Sequence, residues 1–134
     1  MDTPSPLFSS SLVALGGAIG SLLRYQVGRL MTHVLGPAAV TAFPWATLTV
    51  NVVGSLVMGV LAGWLSKFGQ GGEHWRLFVG VGLLGGFTTF SSFSLELMLL
   101  IERGQSAYAF LYAAISLLAG LSALYIGLII MRLA

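Results

Sequence analysis

The chain has no cysteine, so disulfides, thiolate metal sites and thiol redox chemistry are excluded, and the redox character of its compartment stays open. Charge is almost as scarce. Asp, Glu, Lys and Arg make up 7% of 134 residues, against roughly 25% in a soluble domain. The two histidines, His33 and His74, fall in different connections without a ligand partner at metal spacing. No Ser/His/Asp constellation can be assembled from the connections either. The six basic residues are scattered along the chain and form no nucleic-acid patch.

What the sequence has in excess is apolar surface: 57% hydrophobic residues and a mean hydropathy of +0.95. This composition is that of an integral membrane protein. A spanning helix takes about 20 residues, so the length predicts four spans, at about Phe8–Leu30, Trp45–Leu65, Leu77–Ile101 and Tyr108–Leu133. Barrel strands would alternate over roughly ten residues, and no such alternation occurs. Helices are the remaining choice. The N-terminal stretch MDTPSPLFSSSLVALGG carries Asp2 and no basic leader, which predicts that the first span is retained rather than cleaved. The expected fold is an all-α membrane protein, with residues 1–134 forming a single four-helix transmembrane domain.

The connections THVLGPAAVTAFP, SKFGQGGEHW and ERGQSA are short and rich in helix breakers. They leave no extramembrane place for an active site, so an enzyme is not expected. With four spans, Lys67, Arg76 and Arg132 fall on one side, and Arg24, Arg29 and Arg103 on the other. An excess of Lys and Arg normally sets orientation, and here there is none. Two outcomes follow: insertion in both orientations, which would let opposite copies pair antiparallel about a twofold axis, or a single orientation set by weaker cues.

Each of the first two spans carries a stripe at intervals of four. In the first, Gly16, Gly20, Arg24 and Gly28 share a face. The glycines suit close backbone packing. Arg24 costs about 2.5–3.5 kcal/mol at a helix centre unless it snorkels or faces a wet cavity; in a wet cavity it would hold anions near a vestibule. In the second span the stripe is Thr47, Asn51, Ser55, Gly59 and Gly63. A primary amide in hydrocarbon must find partners. As glue between helices Asn51 would contribute about 0.6 kcal/mol; its shared face with Thr47 and Ser55 favours an N–H presented to a passing ion. Tyr112, Ser116 and Gly120 share a face of the last span and read as packing.

The third span contains GGFTTFSSFSLE at residues 85–96. Gly85 and Gly86 have poor helix propensity, and the hydroxyls that follow compete for backbone hydrogen bonds, which predicts an interrupted helix there. Freed carbonyls suit a hard cation, and the amides opening the next half-helix suit an anion. Phe90 and Phe93, three apart, either pack in lipid or core or turn positive ring edges toward a small anion, binding it weakly enough for it to leave. The hydroxyls of Thr88, Thr89, Ser91, Ser92 and Ser94 interleave with these rings. Glu96 should face water or a hydrogen-bond partner. GVGLLG at residues 80–85 has the letters of a dinucleotide fingerprint but no strand before it.

These motifs resemble those of Fluc, also called CrcB, the small fluoride channels of bacteria. The resemblance runs through GGAIGSLLRY, TLTVNVVGSLVMG, GLLGGFTTFSSFSLE and YAAIS, nearly the whole chain. It implies a dual-topology antiparallel homodimer in the bacterial inner or plasma membrane, with two fluoride pores. It also implies a structural sodium ion (Na+) at the dimer centre, held by the backbone carbonyls of Gly85 and Thr88 from each subunit. By the same resemblance Phe90 and Phe93 supply ring edges and Asn51 its amide. Thr89, Ser91 and Ser92 form a polar track, Arg24 lies in the vestibule, and Ser116 is a weaker match. The implied mechanism is passive: hydrogen fluoride enters as a neutral acid, dissociates inside, and the membrane potential expels the anion. The alternative is a small proton-coupled exporter of cationic drugs, for which Glu96 is the one deep carboxylate. An accessory subunit without transport is a third class, and the interrupted span argues against it.

Overall fold

The computed structural model describes residues 5–69 and 72–134, and among them every regular element is helical. Helix α1 (Pro6–Leu35) opens with Ser5, whose hydroxyl accepts from the Phe8 N–H, and with proline at the first helical position. Both features suit a helix start, where the first amide groups lack intrahelical partners. Gly36, at φ +85°, turns the chain into the short helix α2 (Pro37–Ala42). The connection before Trp45 is therefore partly helical rather than a plain loop: Pro37 stops one helix and, at the first position, starts the next.

Helix α3 (Trp45–Phe68) forms the second apolar segment. The third is composite. Helix α4 (Glu73–Trp75) passes into a π-helical segment (Arg76–Leu84) and then α5 (Gly85–Phe87). Helix α6 (Phe90–Glu102) completes it. Gly104, at φ +74°, closes α6, the Gly104 and Gln105 N–H groups reaching the carbonyls of Ile101 and Leu100 at 2.9 Å each. This is the left-handed C-terminal cap that glycine permits. Helix α7 (Ser106–Leu133) is the last. Four stretches, Pro6–Leu35, Trp45–Phe68, Glu73–Glu102 and Ser106–Leu133, are long and apolar enough to cross a membrane. They contain the four expected spans and overshoot most of their ends, because helical hydrogen bonding continues past the apolar core into polar flanks.

Glycines set two close helix contacts. Gly16 and Gly20 of α1 face the backbone of the π-helical segment and α5, while Gly82 and Gly86 face the backbone of α1 in return. A Cβ on Gly86 would lie 2.5 Å from the Gly17 carbonyl oxygen. Likewise Gly59 of α3 meets the backbone of α7 at Leu124, and Gly127 of α7 meets α3 near Leu56 and Val60. Small residues bring backbones together where hydrocarbon gives no hydrophobic incentive for association. The small buried core, Phe43, Leu100, Ala109 and Tyr112, lies where α3, α6 and α7 converge. Most other large apolar side chains point outward, as expected of helices solvated by lipid tails.

Candidate functional site

Between α5 and α6 the backbone leaves helical geometry for two residues. Thr88 has φ −84°, ψ 160° and Thr89 has φ −152°, ψ 123°. The expectation from sequence put the interruption in the stretch of glycines and hydroxyl residues from Gly85 to Ser94; within it Gly85 and Gly86 are helical and the break falls on the threonines. Gly86 is required by its contact with α1 rather than by unwinding. The hydroxyl-bearing, β-branched threonines, which compete with the helix for backbone groups, take the extended conformation instead.

Asn51, from the second turn of α3, holds the extended pair. Its Oδ1 accepts from the Thr89 N–H at 2.8 Å, and its Nδ2 donates to the Thr89 carbonyl at 3.0 Å. One side-chain amide thus pairs with both polar groups of one residue, as a neighbouring strand would. The second Nδ2 hydrogen has no partner among the described residues. Thr89 also caps α6: its Oγ1 accepts from the Ser92 N–H at 3.2 Å and lies 3.2 Å from Ser92 Oγ and 3.3 Å from Ser91 Oγ.

These diversions have a consequence for two carbonyls. In an unbroken α-helix the N–H of Thr89 would bond to Gly85, and that of Ser92 to Thr88. Both N–H groups are spent on side-chain oxygens, of Asn51 and Thr89, so the Gly85 and Thr88 carbonyls lose those donors. Nothing lies within 4 Å of the position a Gly85 side chain would take.

The rings form a series. Phe90 is 79% exposed and stands 5.8 Å, centroid to centroid, from Phe93. Phe93 packs on Tyr112 at 5.1 Å, and Tyr112 meets Phe43 edge-on at 5.5 Å. Tyr112 is fully buried. Its hydroxyl donates to Glu96 Oε2 at 2.8 Å, and Thr47 donates to Glu96 Oε1 at 2.7 Å. The sequence singles out Thr47 and Tyr112 only as members of helix faces. The rule that a carboxylate in an apolar span must be hydrogen-bonded is the signal that pairs them with Glu96.

Arg24 is half-buried and lines a cavity of about 350 Å³ with Thr47, Thr89 and Ser92. A second cavity of about 280 Å³ borders Asn51, Ser55, Thr88, Thr89 and Phe90. Thr89 borders both. The predicted residues Asn51, Thr88, Thr89, Phe90, Ser91, Ser92 and Phe93 therefore surround the interruption, and Arg24 faces it across a cavity. Ser116 stands apart: its Oγ is buried and bonds to none of the described residues. Ser94 and Ser55 are occupied by the carbonyls of Phe90 and Asn51. Among the described residues no three His, Cys, Asp or Glu side chains form a metal cluster.

Apolar helices that carry hydroxyls, an amide, an arginine and a paired carboxylate in their interior define a small multi-pass membrane protein. Residues 11–128 match the family model described as CrcB-like protein, Camphor Resistance (CrcB), and the chain belongs to that family. It is 56% identical over 134 residues to the Fluoride-specific ion channel FluC of Erythrobacter litoralis (strain HTCC2594), covering 99% of this chain and 98% of that one. It is 59% identical over 124 residues to the protein of the same name from Novosphingobium aromaticivorans, with 92% and 96% covered. The Caulobacter vibrioides protein of that name is 51% identical over 122 residues, with 90% and 93% covered. These relatives are named as ion channels, not enzymes, and the chain is a multi-pass bacterial membrane protein.

Proposed function

We propose that this protein is a fluoride-selective channel that lets the anion leave the cytoplasm passively, built as an antiparallel homodimer with two pores. The observation that carries the reading is the extended pair Thr88–Thr89, held by Asn51 beside Phe90, Phe93 and a cluster of three hydroxyls. A small anion needs donors that replace its hydration without trapping it. Hydroxyls, one free Asn51 N–H and phenyl edges supply partial positive charge only. Arg24, across the cavity from Thr89 and Ser92, adds a full charge that raises the local anion concentration. The inside-negative potential then drives efflux with about 2.3 kcal/mol per charge per 100 mV, and no coupled reaction is needed.

The dimer and its sodium ion rest on Gly85 and Thr88. A carbonyl without a donor costs several kcal/mol in hydrocarbon. The open space at Gly85 and the exposure of Phe90 leave room for a second copy to cover this face. Two pairs of such carbonyls across a twofold axis would give a hard cation the oxygen-only environment it prefers. When bound, sodium would supply charge that neutralises those oxygens. The exporter alternative needs a carboxylate free to exchange protons, whereas both oxygens of Glu96 are engaged by Thr47 and Tyr112.

The test is reconstitution into potassium-loaded liposomes, with valinomycin added and fluoride release followed by electrode. Rapid fluoride efflux with little chloride efflux, in the absence of a pH gradient, is expected. Equal rates for the two halides would refute selectivity.

A further inference from the structure

Next to the Arg24 cavity, with which it shares Tyr25, Gly28 and Ala46, lies a larger cavity of about 700 Å³ bounded by the C-terminal half of α1, α2, the start of α3 and the end of α6. We propose that this cavity binds the phosphate headgroup of an anionic phospholipid, held by Arg29 and Arg103. This inference goes beyond the fluoride reading and does not depend on it.

Arg29 and Arg103 come from different helices, 74 positions apart in the numbering, yet both line this one cavity. Arg103 is oriented by a hydrogen bond from its Nη1 to the Thr41 carbonyl at 3.1 Å, which leaves its other N–H groups available. Among the described residues the single ion pair is Arg76 with Glu73, so neither cavity arginine is neutralised by a carboxylate. Glu96 also lines the cavity, but both its oxygens already accept from Thr47 and Tyr112. Two guanidinium groups against one occupied carboxylate leave net positive charge. Guanidinium groups suit phosphate oxygens because their N–H donors match them in pairs.

The remaining wall decides between a free anion and a lipid. Tyr25, Trp45 and Leu99 contribute apolar surface to the same cavity, which a hydrated inorganic ion would not use and a glycerol backbone with its acyl chains would. Trp and Tyr gather at headgroup depth, and basic pockets between membrane helices are established sites for anionic headgroups. Tyr25 and Trp45 beside Arg29 and Arg103 combine these two features.

To test this, the full-length protein is reconstituted in equimolar phosphatidylcholine and phosphatidylglycerol and extracted in mild detergent. Retained lipids are then counted by native mass spectrometry. Phosphatidylglycerol is expected in excess over its bulk ratio, and each of Arg29→Gln and Arg103→Gln lowers that excess about fivefold. Arg132→Gln, at the far end of α7, leaves it unchanged. An excess that survives Arg29→Gln and Arg103→Gln in folded protein would overturn the site. Displacement of the lipid by inorganic phosphate in molar excess would overturn its assignment to a phospholipid.

Discussion

Replacing Asn51 by Asp tests whether the amide organises the interruption or merely joins two helices. The two side chains have nearly the same shape. The carboxylate still accepts from the Thr89 N–H but cannot donate to the Thr89 carbonyl, now bonded at 3.0 Å. A buried acceptor left without its donor costs about 1–3 kcal/mol, and an added negative charge repels both that carbonyl and an approaching anion. On the orphaned carbonyl alone, the equilibrium constant favouring the extended geometry falls roughly 5- to 150-fold. Interhelical glue worth about 0.6 kcal/mol predicts a change of roughly threefold or less. The assay is fluoride efflux from liposomes, read alongside the oligomeric state in detergent. Loss of flux beyond tenfold with assembly intact supports the clamp. Normal currents from Asn51→Asp would reduce Asn51 to glue. Thr89→Ala, which removes the cap hydroxyl but keeps both backbone bonds to Asn51, is the comparison: its cost is about 0.5–2 kcal/mol, and its flux is expected to exceed that of Asn51→Asp.

Phe90→Ile should slow fluoride flux without dissociating the assembly, because the exposed ring loses its polarised edge while an apolar side chain remains; unchanged flux would make the ring simple packing. Gly86→Ala should destabilise the fold by about 1–3 kcal/mol through overpacking against Gly17, whereas Gly85→Ala meets open space within its own chain, so equal thermal stability of the two variants would refute the packing account. Tyr112→Phe keeps the ring contact with Phe93 but removes the donor to Glu96, a charge-assisted bond of about 1.5–3 kcal/mol; a variant as stable as the parent in thermal denaturation would show that the bond contributes nothing.

The apolar segments were legible because hydropathy and length act together: about 20 oily residues have few options besides a spanning helix. The importance of residues 85–96 was also legible, since hydroxyls are costly in hydrocarbon unless they serve something. Which two residues of that stretch leave the helix was not. A glycine pair in a helix signals either unwinding or close approach, and the difference lies in α1, whose Gly17 sits against Gly86. The sequence marks Asn51 as needing partners but not that both belong to the backbone of one residue 38 positions away. Helix α2 escaped for a simpler reason: Gly36 and Pro37 read as a breaker, although proline starts helices as readily as it ends them.

Glycine contacts join α1 to the first part of the third segment, up to Phe87. Its second part, from Phe90 onward, is tied instead to α3 and α7 through Glu96 and the Phe93–Tyr112 stack. One stretch of polypeptide thus packs on α1 before Thr88–Thr89 and on α7 after it, with α3 alongside both parts, and the extended pair is where it changes partners. A displacement of α1 relative to α7 would fall on these two residues, which Asn51 grips. The same amide that shapes the site therefore also sets how much mechanical play it has.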